Sequence, residues 1–207
     1  MVDIQGVWRG MISRCKYASY NNSLAAYVGC SVCEEWQEYK NFEKWCLNNL
    51  YNCNGEKLEL DKDLMVKGNR VYSPETCCFL PKRINLLIKS RRAFKNGMPP
   101  GVSWPGTRAD SFVVHISLGG QKINKTFNDK YVAFDYYKEK KENYVKSVAQ
   151  NYKQFLPENI FVALMTFEVL ISDSECYTCE NEFIKNGKPV YSSFLEYIKA
   201  KVTPVTP

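Results

Sequence analysis

Apolar and polar positions change their spacing several times along this chain, and each change predicts an element. Between Glu34 and Cys46 the residues Trp36, Tyr39, Phe42, Trp45 and Cys46 follow three- and four-residue spacing, which predicts a helix with an aromatic core face. Leu58-Glu59-Leu60-Asp61 alternates instead, the period of a short strand. Gly68-Asn69 then signals a turn, Ser73-Pro74-Glu75 a turn or helix start, and Pro81 to Leu87 a helix with proline in its first turn. Residues 1 to about 54 otherwise mix tryptophans, cysteines and polar residues.

The second half reads differently. Gly101 to Trp104, Ser111 to Leu118 and Gln121 to Phe127 predict three strands, the last two joined by a Gly119-Gly120 hairpin turn. A helix from about Lys130 to Tyr152 follows, with Val132, Ala133, Tyr136, Tyr137, Lys140 and Tyr144 giving a mixed apolar face that covers the sheet. The tail from Pro157 adds an apolar segment, an amphipathic piece at Val190 to Ile198 and a Thr/Pro-rich end. The pattern predicts an α+β chain without internal repeats. Asn96-Gly97-Met98-Pro99-Pro100-Gly101 is its densest run of turn formers and marks the expected domain boundary. The expected units are therefore residues 1–95, 96–155 and 156–207.

Composition narrows the class. An apolar content of 45% in 207 residues is ample for a packed core. The longest apolar run, Ile160 to Ile171, contains Glu168 and falls short of the roughly 20 residues that cross a bilayer, so no membrane partner is expected. The first residues, Met1 to Gln5, carry no basic region followed by an apolar stretch, and a cytoplasmic location is expected. Nine cysteines, an odd number, argue for burial or metal ligation rather than a disulfide framework. Cys30 and Cys33 have the spacing of half a zinc site, which Cys77-Cys78 or Cys53 would complete; a second such pair, Cys176 and Cys179, would close a site with the first or form a separate one, and burial as free thiols explains the same residues.

A net charge of +6 is modest, but Lys82, Arg83, Lys89, Arg91, Arg92 and Lys95 form a stretch free of carboxylates. That stretch is either a solvated helix end or a set of phosphate contacts. Beside it lies the segment with candidate chemistry: a carboxylate ends a strand at Asp61 and an amide sits in the next helix at Asn85. A hard cation such as Mg²⁺ or Mn²⁺ takes oxygen ligands of this kind and keeps positions open for phosphate and water.

Leu60-Asp61-Lys62-Asp63, Tyr72-Ser73-Pro74-Glu75-Thr76-Cys77 and Arg83-Ile84-Asn85 together resemble the phage HNH endonucleases, a ββα-metal family of homing-endonuclease type. Trp8 to Cys15, Tyr27 to Trp36 and Phe42 to Trp45 resemble the region those proteins carry before the motif. Gly101-Val102, Phe112 to Ile116 and Lys125 to Phe127 with the helix after them are similar to an AP2-type DNA-binding domain, and the combined resemblance spans about residues 8 to 153. It implies an HNH-like nuclease core, then a three-stranded sheet with a helix, then a C-terminal extension.

The resemblance further implies a metal-dependent endonuclease acting on double-stranded DNA in a host cytoplasm, with Asp61 and Asn85 as ligands of Mg²⁺ or Mn²⁺. The family's general-base histidine falls at position 62, where this chain has lysine. A lysine works as a base only where its surroundings strongly favour the neutral amine. Lys62 is therefore expected to hold a phosphate, with Asp63 or a cation-activated water as base; the sole histidine, His115, falls in a strand of the second half. DNA contacts are expected from Arg83, Lys89, Arg91, Arg92, Trp104, Arg108, Lys122 and Lys125. The alternative is a regulator or anti-defence protein that binds DNA or protein on the same scaffold without cutting.

Overall fold

The computed structural model describes residues 2–89, 98–106 and 110–174 together with two short strands at 184–185 and 188–189. Arg91, Arg92, Arg108, Cys176, Cys179, the start of the expected boundary at Asn96 and the amphipathic piece at 190–198 lie outside the described residues.

The chain begins with α1, Ile4–Tyr17, capped by Asp3, whose carboxylate accepts the Gly6 N–H at 2.9 Å. Ile4, Val7, Trp8, Met11 and Cys15 recur at helical spacing and face the core, a period masked in the sequence by the polar residues between them. The helix expected over 34–46 is divided. A 3₁₀ turn at Glu35–Gln37 precedes α2, Tyr39–Asn49, because Glu38 is extended (φ −90°, ψ 118°). The break lets Trp36 enter the interior completely while Trp8 Nε1 donates to its carbonyl at 2.8 Å. Trp36 lies edge-on to Phe42 at 5.0 Å, and Trp45 bridges from Trp36 (4.7 Å) to Phe79 (5.5 Å).

Two small sheets complete this half. β1, Ser31–Val32, pairs in parallel with β3, Val71–Tyr72. β2, Leu58–Asp61, pairs antiparallel with β4, Cys78–Pro81, in a register that sets Asp61 opposite Cys78. The chain passes from β4 directly into α3, Lys82–Ile88, with Pro81 as its N-cap rather than within the first turn. Ser73-Pro74-Glu75 is the start of a turn, closed by the Cys77 N–H on the Ser73 carbonyl.

The expected three-stranded sheet is present as β5, Val102–Ser103, β6, Phe112–Leu118, and β7, Gln121–Phe127, in that spatial order. α4, Lys130–Tyr152, is capped by Asp129, which accepts the N–H groups of Tyr131 and Val132. Its first half buries Ala133, Phe134 and Tyr137 against Val102, Val114 and Ile116 of the sheet. Its second half buries Val145, Val148 and Ala149 in the other core, beside Ile160 and Leu164 of α5, Glu158–Met165. The chain thus returns to the first core after crossing the second, and residues 1–175 form one compact unit. The remainder, 176–207, is a separate unit in which β8, Ile184–Lys185, pairs antiparallel with β9, Lys188–Pro189. The architecture is α+β, and among the described residues no helix is long and apolar enough to cross a membrane.

Gly101 joins sheet to helix at close range. Its φ is +74°, and a Cβ there would lie 2.1 Å from the Tyr137 ring, whereas at Gly29 (φ +77°) a Cβ would meet nothing within 4 Å. Gly29→Ala should cost about 1–2 kcal/mol from backbone strain alone, and Gly101→Ala a further ~1–3 kcal/mol of overpacking. Urea denaturation of the two variants measures the difference, and equal losses would contradict this account of the β5–α4 joint.

Candidate functional site

Strand alternation decides which side chains meet α3. Leu58 and Leu60 project to one face of β2 and pack in the core, so Glu59 and Asp61 share the opposite face. Asn85, from the middle of α3, reaches that face and donates its Nδ2 to Glu59 Oε2 at 2.8 Å. A carboxylate can only accept, so this bond fixes the amide orientation and turns Oδ1 elsewhere. Asn85 is 2% exposed, and its Oδ1 is buried with no hydrogen-bond partner. Such an atom costs free energy unless something electropositive meets it.

Asp61 is likewise buried, at 7% exposure. Its Oδ1 accepts the backbone N–H groups of Asp63 (2.9 Å) and Leu64 (2.8 Å), which holds the carboxylate at the strand end and starts the following loop. Burial, reinforced by the charge of Asp63, pushes its pKa above the usual carboxylate value in spite of those bonds. A desolvated carboxylate and an orphaned amide oxygen on one face of a two-stranded sheet and helix are a donor set that fits a hard divalent cation. Among the described residues no three His, Cys, Asp or Glu side chains converge as a metal set, so most of such an ion's coordination would come from phosphate and water.

Lys62 is committed elsewhere. It is 7% exposed, donates to Asp63 Oδ1 at 2.5 Å and to the Asn69 carbonyl at 2.9 Å, and lies 5.9 Å from the centre of the Tyr72 ring. Asn69, 2% exposed, returns a bond to the Lys62 carbonyl and clasps both the N–H and the carbonyl of Val71. Lys62 and Asn69 therefore staple the loop between β2 and β3. The Lys62 ammonium is thus hydrogen-bonded within its own loop, to Asp63 and to the Asn69 carbonyl.

The three candidate zinc ligands are placed apart in role. Cys30 is buried with its sulfur 3.9 Å from the Arg70 guanidinium. Cys33 is half-buried and bonds through its backbone N–H to the Tyr72 carbonyl, while burial raises its thiol pKa. Cys77 sits in the turn before β4, where burial pushes the thiol up to about 12. Among the described residues Cys30 and Cys77 are buried and Cys33 is half-buried.

The expected DNA contacts divide between faces. The β6–β7 register pairs Ser117 with Lys122, His115 with Asn124 and Val113 with Thr126 on the sheet face away from α4. Lys122 is exposed there, and His115 Nδ1 lies 2.7 Å from Asn124 Oδ1. Lys125 projects to the other face, with its ammonium 4.5 Å from the centre of the Tyr136 ring and 5.3 Å from that of Phe127. Trp104 follows β5 at 48% exposure. On α3, Arg83 is exposed and hydrogen-bonds the phenols of Tyr144 and Tyr152, and Lys89 is exposed at the helix end. The sheet thus brings Lys122 but not Lys125 to its open face.

Glu59 and Asn69 went unread in the sequence. Glu59 had a usable signal, since it stands two positions before Asp61 in an alternating strand; Asn69 had none beyond its turn position. Compared with known proteins, the chain matches no family model, no curated protein and no solved structure.

The raised pKa of Asp61 has a consequence for stability. The folded protein binds this proton more tightly than the unfolded chain, so stability from this group is complete at low pH and is lost as pH rises above the ordinary aspartate value, ~3.9. Asp61→Asn keeps an acceptor for both backbone N–H groups, and it should stabilise the protein at pH 7 by about 1 kcal/mol, with no gain at pH 3. Urea titrations at the two pH values test this; an Asn variant less stable than the parent at pH 7 would count against a strained carboxylate.

Proposed function

We propose that this chain is a divalent-metal-dependent DNA endonuclease of the HNH type, with Asp61 and Asn85 as the protein's ligands to the ion. The observation that carries the reading is the buried, unpartnered Oδ1 of Asn85, held on the same face as the desolvated carboxylate of Asp61. A divalent cation there would supply electrostatic stabilisation of the charge that develops on a scissile phosphodiester. Asp61 contributes the negative charge that attracts it, and the pair of backbone N–H bonds keeps that carboxylate from swinging away. Exposed Lys82 and Lys89 at the two ends of α3 suit contacts to the DNA backbone, and the open sheet face with Lys122, His115 and Asn124 suits a groove.

A second reading is favoured by Lys62. The side chain at the position of the family's base is locked to Asp63 and Asn69, and Asp63 is occupied by the same bond. The lysine at that position is thus engaged within its own loop, which suits a non-cleaving DNA- or protein-binding regulator. Nicking of supercoiled DNA with Mg²⁺ or Mn²⁺ separates the two. The expected result is metal-dependent cleavage that falls by about 100-fold or more in Asp61→Ala and in Asn85→Ala. Intact DNA with every metal, alongside measurable DNA binding, would replace the nuclease by the regulator.

The sheet face makes a separate prediction. Lys122→Ala should lower the slope of log affinity against log salt by about 1, while Lys125→Ala leaves it unchanged, because one lysine meets phosphate and the other covers aromatic rings. Equal slopes for both variants would remove the sheet from the interface.

A further inference from the structure

The carboxylate of Glu59 has a place in the site that the resemblance does not assign. Its Oε2 takes the Asn85 amide N–H at 2.8 Å, from the strand position that shares a face with Asp61. Asparagine amides can be turned over by half a rotation, which exchanges a donor for an acceptor at the same point in space. Facing a carboxylate, only one of the two orientations is allowed. The bond is therefore what makes the buried atom at the end of Asn85 an oxygen rather than an NH₂ group, and that oxygen has no other partner.

We propose that Glu59 is a positioning residue for the cation site: by accepting the Asn85 N–H it presents the amide oxygen, already desolvated, as a ligand at the face of β2 that Asp61 shares. The proposal rests on the metal-dependent reading above. It assigns to Glu59 an orienting role through its acceptor atom, in the way that partners beyond the ligands orient metal-binding side chains elsewhere. Glu59 is half-buried on a strand whose other side is core, and its bond to Asn85 links that strand to α3.

The test uses Mn²⁺ alone as the probe, with binding to the full chain followed by electron paramagnetic resonance, and the Asn85 side-chain amide followed by ¹⁵N NMR. Glu59→Leu should weaken Mn²⁺ binding by about 10- to 100-fold and move the Asn85 amide resonances. Glu59→Gln, which keeps an acceptor but not the charge, should stay within about 3-fold of the parent and leave those resonances in place, since orientation is what the bond supplies. A thermal melt of Glu59→Leu that matches Glu59→Gln establishes that the comparison is between folded proteins; if Leu alone unfolds, Glu59→Ala takes its place in the same comparison. Binding lost in Glu59→Gln as fully as in Glu59→Leu, or unchanged in both while Asp61→Ala abolishes it, overturns the role of Glu59 and leaves the metal reading standing. Absence of Mn²⁺ binding by the parent chain, with the same background in Asp61→Ala, overturns the metal reading itself.

Discussion

The burial of β4 between two layers is the constraint on which the candidate site depends. Cys78, Phe79, Leu80 and Pro81 are all buried, with the Trp45 ring over Phe79 and the Tyr51 hydroxyl on the Phe79 carbonyl. A strand covered on both faces cannot slide or flip, so its register with β2 and the start of α3 are fixed together. That is what brings Asn85 to Glu59 and leaves Asp61 at the strand end. The second half of α4 closes the same core from the other side, and Lys141 of α4 donates to the Leu87 carbonyl at the end of α3. The helix that covers the sheet of the second half therefore also steadies the helix that carries Asn85.

The site works against the packing that holds it. A carboxylate, a lysine and two asparagines are buried between Asp61 and Asn85. Lys62 and Asn69 satisfy each other and stabilise the β2–β3 loop. Asp61 and Asn85 are satisfied only in part, one with its pKa raised by burial and one with an orphaned oxygen. Polar groups of this kind destabilise a fold unless something electropositive meets them.

The two halves of the compact unit present different kinds of positive charge. On α3 the cations stand at a helix surface beside the buried donors, with Arg83 tied to the tyrosines of α4. On the sheet, alternation of side chains separates Lys122 from Lys125, and only the former shares a face with His115 and Asn124. A lysine placed over aromatic rings serves the packing of sheet on helix.

What the sequence determined by itself was the local period. The strand at Leu58–Asp61, the helix after Pro81, the hairpin at Gly119-Gly120 and the long helix from Lys130 are set by alternation, proline, glycine and a capping aspartate within a few residues of each other. The positions of Asp61 and Asn85 at a strand end and in the next helix were legible for the same reason. Only the tertiary structure decided the rest. Trp36 lies in a 3₁₀ turn ahead of α2, fully buried against Phe42 and Trp45, an arrangement that spacing along the chain does not show. Lys62 turns to Asn69 because a loop folds back on itself there, and Glu59 enters the site because α3 packs on its face of β2. Contacts between residues far apart in the chain leave no period to read, and it is through such contacts that the candidate site is assembled.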